Sequence, residues 1–292
     1  MAKVKIVTDS TADIPAGVRE ALGIVSVPLK VHFGEETFRD GVDITANTFY
    51  PKLQSSSQLP TTSQPSPVDF MEVYKQIIEE NGDDTAIISF HISAALSGTY
   101  QSAVLAKSLL EQQATIEIVD TRLTCSGLGM MVIAAAKAAQ AGQSVEDITA
   151  MTEQLRHDLR LYFIVDTLEY LQKGGRIGKA SAFIGSLLNI KPILTVDSGG
   201  EVAPLDKVRG SKKAVARIID MLKADFAQQP LDICIAHSEA REGAEQLMEL
   251  ITANFEVSSS SYTEIGPVIG AHVGPGALSV FASPSPSTSS AQ

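Results

Sequence analysis

Residues 87–102, IISFHISAALSGTYQS, decide the fold, because an apolar segment of strand length runs through a hydroxyl-rich loop into a helix that opens at Ser97-Gly98-Thr99. A strand–loop–helix unit of this kind brings unpaired backbone N–H groups, the positive end of a helix dipole and the Ser97 hydroxyl to one place. Together these groups favour an anion. Considered alone, Ser97 is better explained as a simple helix cap, so the interpretation depends on the other loops.

Three further hydroxyl-rich loops adjoin segments of strand length. They are 9–11 (DST), 60–67 (PTTSQPSP) and 119–129 (VDTRLTCSGLG). The prolines of 60–67 predict a rigid loop that leaves four hydroxyls and one amide available. Because ligands of open parallel sheets bind beyond the carboxyl ends of the strands, these loops predict one shared polar site.

The composition is that of a globular protein with two domains of ordinary size. The chain has 292 residues, of which 44% are hydrophobic and 20% charged. The net charge of −11 argues against a nucleic-acid partner, since binding to phosphate backbones requires an excess of Lys and Arg. Two local basic groups remain, and such groups are usually solvated faces. They consist of Lys173, Arg176 and Lys179, and of Lys207, Arg209, Lys212 and Lys213.

The sequence offers no pattern for a metal site, a disulfide or a membrane span. Cys125 and Cys234 lie far apart without a CxxC or Cys/His spacing, which predicts no zinc site and a reducing compartment. The apolar run 128–136 is too short to cross a bilayer. We therefore expect a soluble cytoplasmic protein without stable membrane insertion. The chain also lacks the GxxxxGK[ST] and kinase motifs that bind ATP.

Strand-length apolar runs alternate with helical periodicity along almost the whole chain. Predicted strands span 4–7, 25–31, 86–90, 116–119, 162–165, 191–196, 233–236 and 257–262, and predicted helices span 68–80, 99–111, 128–141, 145–158, 211–226 and 241–253. The alternation predicts an α/β fold of two domains, each with a mostly parallel sheet flanked by helices. We assign the domains to residues 1–158 and 159–282.

Three local features refine this outline. Gly199-Gly200 predicts a hairpin turn that joins 193–196 to 202–205. The helix at 128–139 is apolar nearly all round, which predicts burial on every side. Residues 283–292, SPSPSTSSAQ, have too little apolar content to order themselves and are expected to form a disordered tail.

Seven motifs follow one another in the order TDSTADIP, PTTSQPSP, LSGTYQSA, DTLEYLQKGGRIG, LLNIKPIL, VRGSKKA and HVGPGA. In order and spacing they resemble the DegV family, whose members include the fatty acid-binding subunit of bacterial fatty acid kinase. The resemblance implies a two-domain α/β protein that encloses one long-chain fatty acid between its domains. It implies that the carboxylate lies near the hydroxyl-rich loops and the acyl chain in an apolar tunnel. The fatty acid is then a ligand, and no cofactor is expected.

The resemblance also implies roles for individual residues. The carboxylate is held by Thr62, Ser97 and the Gly98 backbone N–H, and Arg176 and His272 lie near the head group. From the hydroxyl-rich loops we add Ser10, Thr61 and Ser63 to that vicinity. The basic segment with Lys207, Arg209, Lys212 and Lys213 is expected to face the partner kinase. Two positions depart from the family pattern, since Cys125 replaces the common serine, a better hydrogen-bond donor, and Ser279 replaces the usual glycine.

The implied protein is a non-catalytic subunit that presents the fatty acid carboxylate to an ATP-dependent kinase, for phosphorylation to acyl phosphate and use in membrane phospholipid synthesis. Neutral hydroxyls would hold the carboxylate without lowering its nucleophilicity as a bidentate arginine would, and Arg176 and His272 would neutralise charge on the transferred phosphoryl group. Two other readings stay open at this point. One is a serine-dependent hydrolase with Ser97 as nucleophile, although LSGTY lacks the first glycine of GxSxG. The other is a phosphate- or nucleotide-binding module that uses the same helix ends.

Overall fold

The computed structural model describes residues 3–82, 84–110, 114–185, 190–226 and 229–285. Its strands are β1 (Val4–Asp9), β2 (Val25–Val27), β3 (Lys30–Phe33), β4 (Glu36–Arg39), β5 (Thr61–Ser63), β6 (Ala86–His91), β7 (Thr115–Asp120), β8 (Arg160–Ile164), β9 (Ile190–Val196), β10 (Val202–Arg209), β11 (Leu231–His237), β12 (Val257–Glu264) and β13 (Leu278–Pro284). Its α-helices are α1 (Ala16–Leu22), α2 (Ala46–Ser55), α3 (Pro67–Asn81), α4 (Thr99–Leu109), α5 (Cys125–Gln140), α6 (Val145–Asp158), α7 (Glu169–Lys173), α8 (Ser211–Asp225), α9 (Arg241–Asn254) and α10 (Pro267–Val273). Short 3-10 helices occupy Ser10–Ala12 and Gly178–Phe183.

The first sheet is parallel and has the strand order β2-β1-β6-β7. All six residues of β6 are buried, as expected for a strand covered on both faces. Because the chain leaves β1 toward β2 on one side and enters β6 on the other, β1 and β6 flank the point where the strand order reverses. The loops that follow these strands therefore lie where open α/β sheets bind ligands.

A small antiparallel sheet, in the order β4-β3-β5, corrects two predictions. The predicted strand 25–31 is wrong as a single element, since β2 pairs with β1 whereas β3 pairs with β4 and β5. The break falls at Pro28, which has no N–H for a ladder, and at Leu29, whose N–H donates to Ser10 Oγ at 3.0 Å. The predicted rigid loop 60–67 contains β5, which the pairing with β3 holds extended.

The second sheet has the order β10-β9-β8-β13-β11-β12. The expected α/β fold is confirmed, but the strand directions of this sheet differ from the mostly parallel arrangement that we predicted. Its parallel pair is β11 with β12, and the other neighbouring pairs run antiparallel. One reason is the predicted hairpin between β9 and β10, which pairs Val196 with Val202 across the glycine turn.

Strand β13 is the other reason, and it also corrects the predicted tail. It lies antiparallel between β8 and β11, and six of its seven residues are buried. Ser283 is therefore part of the sheet, and the backbone N–H of Ser285 donates to Pro230 O at 2.9 Å. The rest of the predicted tail, 286–292, lies outside the described residues.

The largest apolar cluster spans both halves of the chain. Helix α5 packs into it, and Leu128 and Val132 have no exposed surface, but Lys137 is exposed, so the predicted burial on every side is wrong for the face that carries Lys137. The cluster joins residues from both sides of the predicted boundary at 158, among them Phe90 before it and Phe281 after it. The boundary itself stays a prediction.

Candidate functional site

A cavity lies within this shared core. Both halves of the chain contribute to its wall, which is mainly aliphatic and aromatic. The apolar lining consists of Leu29, Ile92, Leu96, Leu161, Phe163, Leu171, Val196, Val202, Ile265, Val268, Ile269, Val273, Ala277 and Phe281. A wall of this composition favours an apolar guest of substantial size.

Six polar side chains line part of the same wall, and we call them the polar cluster. Its members are Thr62, Ser63, Gln64, Ser97, Arg176 and His272. The first three lie on β5 and the residue after it, Ser97 precedes α4, and the last two come from the second half of the chain. Thr62 Oγ1 and His272 Nε2 are 2.8 Å apart, which joins residues separated by 210 positions.

Ser97 lies at the start of α4, in the loop that the sequence singled out. Its hydroxyl is 2.8 Å from Thr99 Oγ1 and accepts a longer bond of 3.4 Å from the Thr99 N–H. Gly98 is the N-cap residue, so the first N–H groups of α4 lack partners within the helix. This end of the helix can donate hydrogen bonds to an anion that enters the polar cluster.

Gln64 is a member of the polar cluster to which sequence analysis gave no role. A Cβ atom built on Gly98 would come within 2.8 Å of Gln64 Nε2, so the Gln64 amide packs directly over the Gly98 backbone. Glycine at 98 is what permits this approach. The available signal was the amide in PTTSQPSP, but nothing in the sequence shows that this loop meets the start of α4.

His272 is neutral at physiological pH. Burial, reinforced by the positive charge of Arg176, lowers the pKa of His272 to about 4. Its Nδ1 atom is buried and has no hydrogen-bond partner among the described residues. The imidazole therefore meets Thr62 as a polar but uncharged group, and the polar cluster has Arg176 as its one cation among the residues named above.

Arg176 is exposed, and its guanidinium is already engaged with the backbone. Nε donates to Leu96 O at 3.0 Å, and Nη1 donates to Gly174 O at 2.9 Å. The first of these bonds ties Arg176 to the residue immediately before Ser97. Arg176 therefore holds the loop that carries Ser97, and these bonds use two of its five N–H donors, so three remain for an anion.

The remaining predicted residues lie elsewhere. Thr61 lines an adjoining polar cavity that shares Thr62, Arg176 and His272 with the first. Ser10 lines a third, acidic cavity and accepts the hydrogen bond from Leu29 described above. The exposed basic residues, which line none of these cavities, are at the end of β10 and the start of α8, and they are Lys207, Arg209, Lys212 and Lys213.

Cys125 lines the apolar cavity, but its thiol faces its neighbour Asp13. Cys125 Sγ lies 3.0 Å from Asp13 Oδ2, and Asp13 lines the acidic cavity. Burial is the main cause that raises the pKa of both groups. The thiol is thus protonated and directed toward Asp13, while Thr124 beside it has a buried hydroxyl without a described partner.

The geometry disfavours the hydrolase reading. Ser97 pairs with Thr99, whereas the imidazole of the cavity pairs with Thr62, so Ser97 has no base in hydrogen-bond contact. A Ser89–His91–Asp9 array does exist, with distances of 2.8 Å and 3.1 Å, but all three residues have no exposed surface. That array stabilises the interior next to β1 and β6 and is closed to substrate.

The described residues form neither a metal-binding group nor a membrane-spanning helix. Across the ranges that the structure covers, no three or more His, Cys, Asp or Glu side chains lie where they could hold a metal ion. Within those same ranges, no helix has the length and apolar character needed to cross a membrane.

Comparison with known proteins gives a consistent result. A family model described as an uncharacterised protein of the DegV family matches residues 3–285. A DegV domain-containing protein of Caldanaerobacter subterraneus subsp. tengcongensis is 38% identical over 284 residues, which are 96% of this chain and 99% of that protein.

Solved structures of similar proteins cover the same length. A DegV family protein from Thermus thermophilus, described for its fatty acid binding, has a TM-score of 0.90 and 38% identity and covers 97% of this chain and 100% of its own. DegV from Bacillus subtilis, described as a fatty acid binding protein, has a TM-score of 0.86 and 36% identity and covers 98% of this chain and 100% of its own. The similarity includes both large sheets and the segments that carry the polar cluster.

Proposed function

This chain belongs to the DegV family, and from that premise we propose that it binds one long-chain fatty acid and presents the carboxylate to an ATP-dependent fatty acid kinase. The observation that carries the proposal is the polar cluster at the wall of an otherwise apolar cavity. A guest that pairs with the polar cluster and also fills the apolar cavity must have one small anionic end and a long apolar body. A fatty acid has this form, whereas a nucleotide or a phosphate ester leaves the apolar wall without a partner.

The acyl chain supplies most of the affinity. Each buried methylene contributes about 0.8 kcal/mol, whereas a hydrogen bond to a charged group contributes about 1.5–3 kcal/mol in all. The hydroxyls of Thr62 and Ser97, the Gly98 N–H and the Gln64 amide therefore set the position of the carboxylate more than the strength of binding. Because His272 is neutral and Arg176 directs two of its five N–H donors to backbone carbonyls, we expect the carboxylate oxygens to keep most of their nucleophilicity.

The phosphorylation step is assigned to a partner. The carboxylate attacks the γ-phosphorus of ATP held by the kinase, the bond to the β,γ-bridging oxygen breaks, and acyl phosphate and ADP result. The adjoining polar cavity, lined by Lys173 and Arg176, offers positive charge where the phosphoryl group would arrive. The exposed basic residues at the end of β10 and the start of α8 suit an acidic partner surface, and ATP supply places the complex in the cytoplasm.

Identification of the bound guest tests the first half of the proposal. The purified protein is extracted with organic solvent, and the extract is analysed by mass spectrometry alongside native mass spectrometry of the intact complex. We expect one long-chain fatty acid per chain. A phosphorylated polar compound, or a stripped protein that fails to take up any fatty acid, would contradict the proposal.

Two matched serine variants test the second half. Ser97→Ala should lower acyl phosphate formation with the kinase by at least about a hundredfold at saturating fatty acid, while the chain keeps most of its free energy of lipid binding. Ser108→Ala on the same helix, which loses an exposed hydroxyl bonded to Leu105 O, is the control and should leave both quantities unchanged. Equal loss of lipid binding and phosphorylation in Ser97→Ala would contradict the proposal that Ser97 positions the carboxylate while the acyl chain supplies the affinity.

A charge reversal tests the partner surface. Lys207→Glu should weaken acyl phosphate formation and leave fatty acid binding intact, because Lys207 is exposed and lies outside the cavity wall. Lys223→Glu, on an exposed position near the other end of α8, is the control. A similar loss in both variants would mean that overall charge matters and that this surface does not dock the kinase.

A further inference from the structure

The loop that carries Ser97 is fastened to the second half of the chain at two points. Arg176 Nε donates to Leu96 O at 3.0 Å, and Ser93 Oγ donates to Gly200 O at 2.8 Å. The first contact belongs to a member of the polar cluster. The second involves a residue that lines none of the three cavities described above.

Ser93 holds this loop together through its backbone and side-chain hydrogen bonds. Its carbonyl oxygen accepts hydrogen bonds from the N–H groups of Leu96 at 2.9 Å and Ser97 at 3.1 Å. Its own N–H donates to Leu123 O at 2.8 Å, and its hydroxyl accepts from the Ala95 N–H at 3.3 Å. Ser93 has no exposed surface, so a shift of its backbone passes directly to Ser97.

Gly200, the hydrogen-bond partner of Ser93, has no side chain and so allows the Ser93 hydroxyl to come close. Gly200 lies in the hairpin between β9 and β10 with φ of 82°, a conformation that favours glycine. A Cβ atom at this position would overlap Ser93 Oγ. The Glu201 N–H lies in the same peptide plane as the Gly200 carbonyl, and its bond to Asp197 Oδ1 at 3.1 Å holds the direction of the carbonyl that Ser93 meets. The hairpin therefore provides a rigid anchor for the loop.

We propose that Ser93 is a positioning residue for carboxylate recognition, which it serves by fixing the Ser97 loop to the β9–β10 hairpin. The inference rests on the proposed fatty acid binding. Ser93 does not touch the guest, and its effect passes through the backbone bonds to Ser97. Loss of the Ser93 hydroxyl should therefore affect how the protein distinguishes a carboxylate from a neutral head group, and leave recognition of the acyl chain unchanged.

The test compares two buried serines on the same segment. Ser93→Ala is paired with Ser89→Ala, because Ser89 is equally buried and its hydroxyl also takes part in two hydrogen bonds, with Tyr74 and His91. Affinities for palmitic acid and for 1-hexadecanol are measured on delipidated protein. In Ser93→Ala the ratio of acid to alcohol affinity should fall about five- to tenfold, with the alcohol affinity unchanged. In Ser89→Ala the ratio should equal that of the wild type.

The outcomes separate the two proposals. A wild-type protein that binds neither compound, or binds both equally, would overturn carboxylate recognition itself. A wild type that prefers the acid, with the same preference in Ser93→Ala, would overturn only the role of Ser93. A simple loss of stability lowers both affinities together and leaves the ratio constant, so it would also count against the inference.

A second variant and a second measurement test the same contact in case Ser93→Ala fails to fold. Gly200→Ala forces the same contact apart from the hairpin side, and its effect on the affinity ratio should be smaller in the Ser93→Ala background than in the wild type. Hydrogen exchange of the ligand-free protein should show faster exchange at the Ser97 amide in either single variant than in Ser89→Ala. If the two substitutions had additive effects on the acid-to-alcohol affinity ratio and left the exchange rate of the Ser97 amide unchanged, the proposed coupling between Ser93 and Gly200 would be wrong.

Discussion

Buried carboxyl groups of the acidic cavity give the protein an unusual pH response at single residues. Asp40 is 4% exposed, and burial is the main cause that raises its pKa to about 6, above the ordinary value of 3.8. The folded protein then binds more protons at this site than the unfolded chain between these two pH values. The stability that the neutral carboxyl contributes is complete below pH 3.8 and is lost as the pH rises through about 6.

Asp40→Asn should therefore stabilise the protein at about pH 8 by about 1–3 kcal/mol, since the amide removes the buried charge without changing the shape of the side chain. The gain should disappear toward about pH 4, where the wild-type carboxyl is protonated as well. Urea denaturation at several pH values measures this difference. A gain that does not depend on pH would contradict the burial of a charge as its cause.

Asp43→Asn is the control for that experiment and should have the opposite sign. Hydrogen bonds from Arg39 lower the pKa of Asp43 to about 2, so its ionised form contributes stability above the unfolded pKa of 3.8. That contribution is lost as the pH falls through about 2. The variant should therefore be less stable than the wild type at neutral pH and equal to it in strong acid.

His272 should resist protonation well below the usual range for histidine. With a folded pKa of about 4 and an ordinary value of 6.5, the folded protein binds fewer protons than the unfolded chain between these values, so the stability that neutral His272 contributes is lost as the pH falls from 6.5 to about 4. The ring proton resonances of His272, followed by NMR, should stay at their neutral positions down to about pH 5. A midpoint near 6.5 would mean that the polar cluster meets its ligand as a partly charged site.

At the scale of elements, the sequence predicted those strands and helices that local composition alone is enough to identify. The parallel strand β6 was predicted because a strand covered on both faces is mainly apolar. β5 was missed because Thr61–Ser63 extends only through its pairing with β3, about thirty residues earlier in the chain. β13 was missed because its partners β8 and β11 are distant in sequence, and its Ser-Pro end resembles the polar residues that follow it.

Helix α5 packs against the loop after β1 through a glycine, and this contact can be tested. A Cβ atom on Gly129 would lie 2.6 Å from Ala12 O, a backbone atom that cannot move without shifting the loop. Gly129→Ala should destabilise the protein by about 1–3 kcal/mol through overpacking. Gly17→Ala in α1 is the control, since nothing lies within 4 Å of its Cβ position and the substitution should be neutral or stabilise by up to about 1 kcal/mol. Thermal and urea unfolding measure both, and equal effects would contradict the close helix approach.

At the scale of the whole molecule, the polar cluster exists only where the two halves meet. Sequence analysis placed Thr62, Ser97, Arg176 and His272 in one site through a family resemblance, and all four line the cavity. It did not find that His272 bonds to Thr62, or that Arg176 holds the Ser97 loop. Both contacts join residues far apart in the chain, so periodicity and motif spacing carry no information about them.

The shared core leads to a prediction about unfolding. Because the largest apolar cluster and the cavity within it take residues from both halves, separating the halves would expose part of that cluster, although each half also has a smaller apolar cluster of its own. We therefore expect the delipidated protein to unfold in one cooperative transition, with the calorimetric enthalpy equal to the van't Hoff enthalpy. Fatty acid at about 100 times its Kd should stabilise the folded state by about 2.7 kcal/mol and shift that whole transition. Two resolved transitions, or a shift in only one of them, would mean that the halves are independent domains and that the cavity does not couple them.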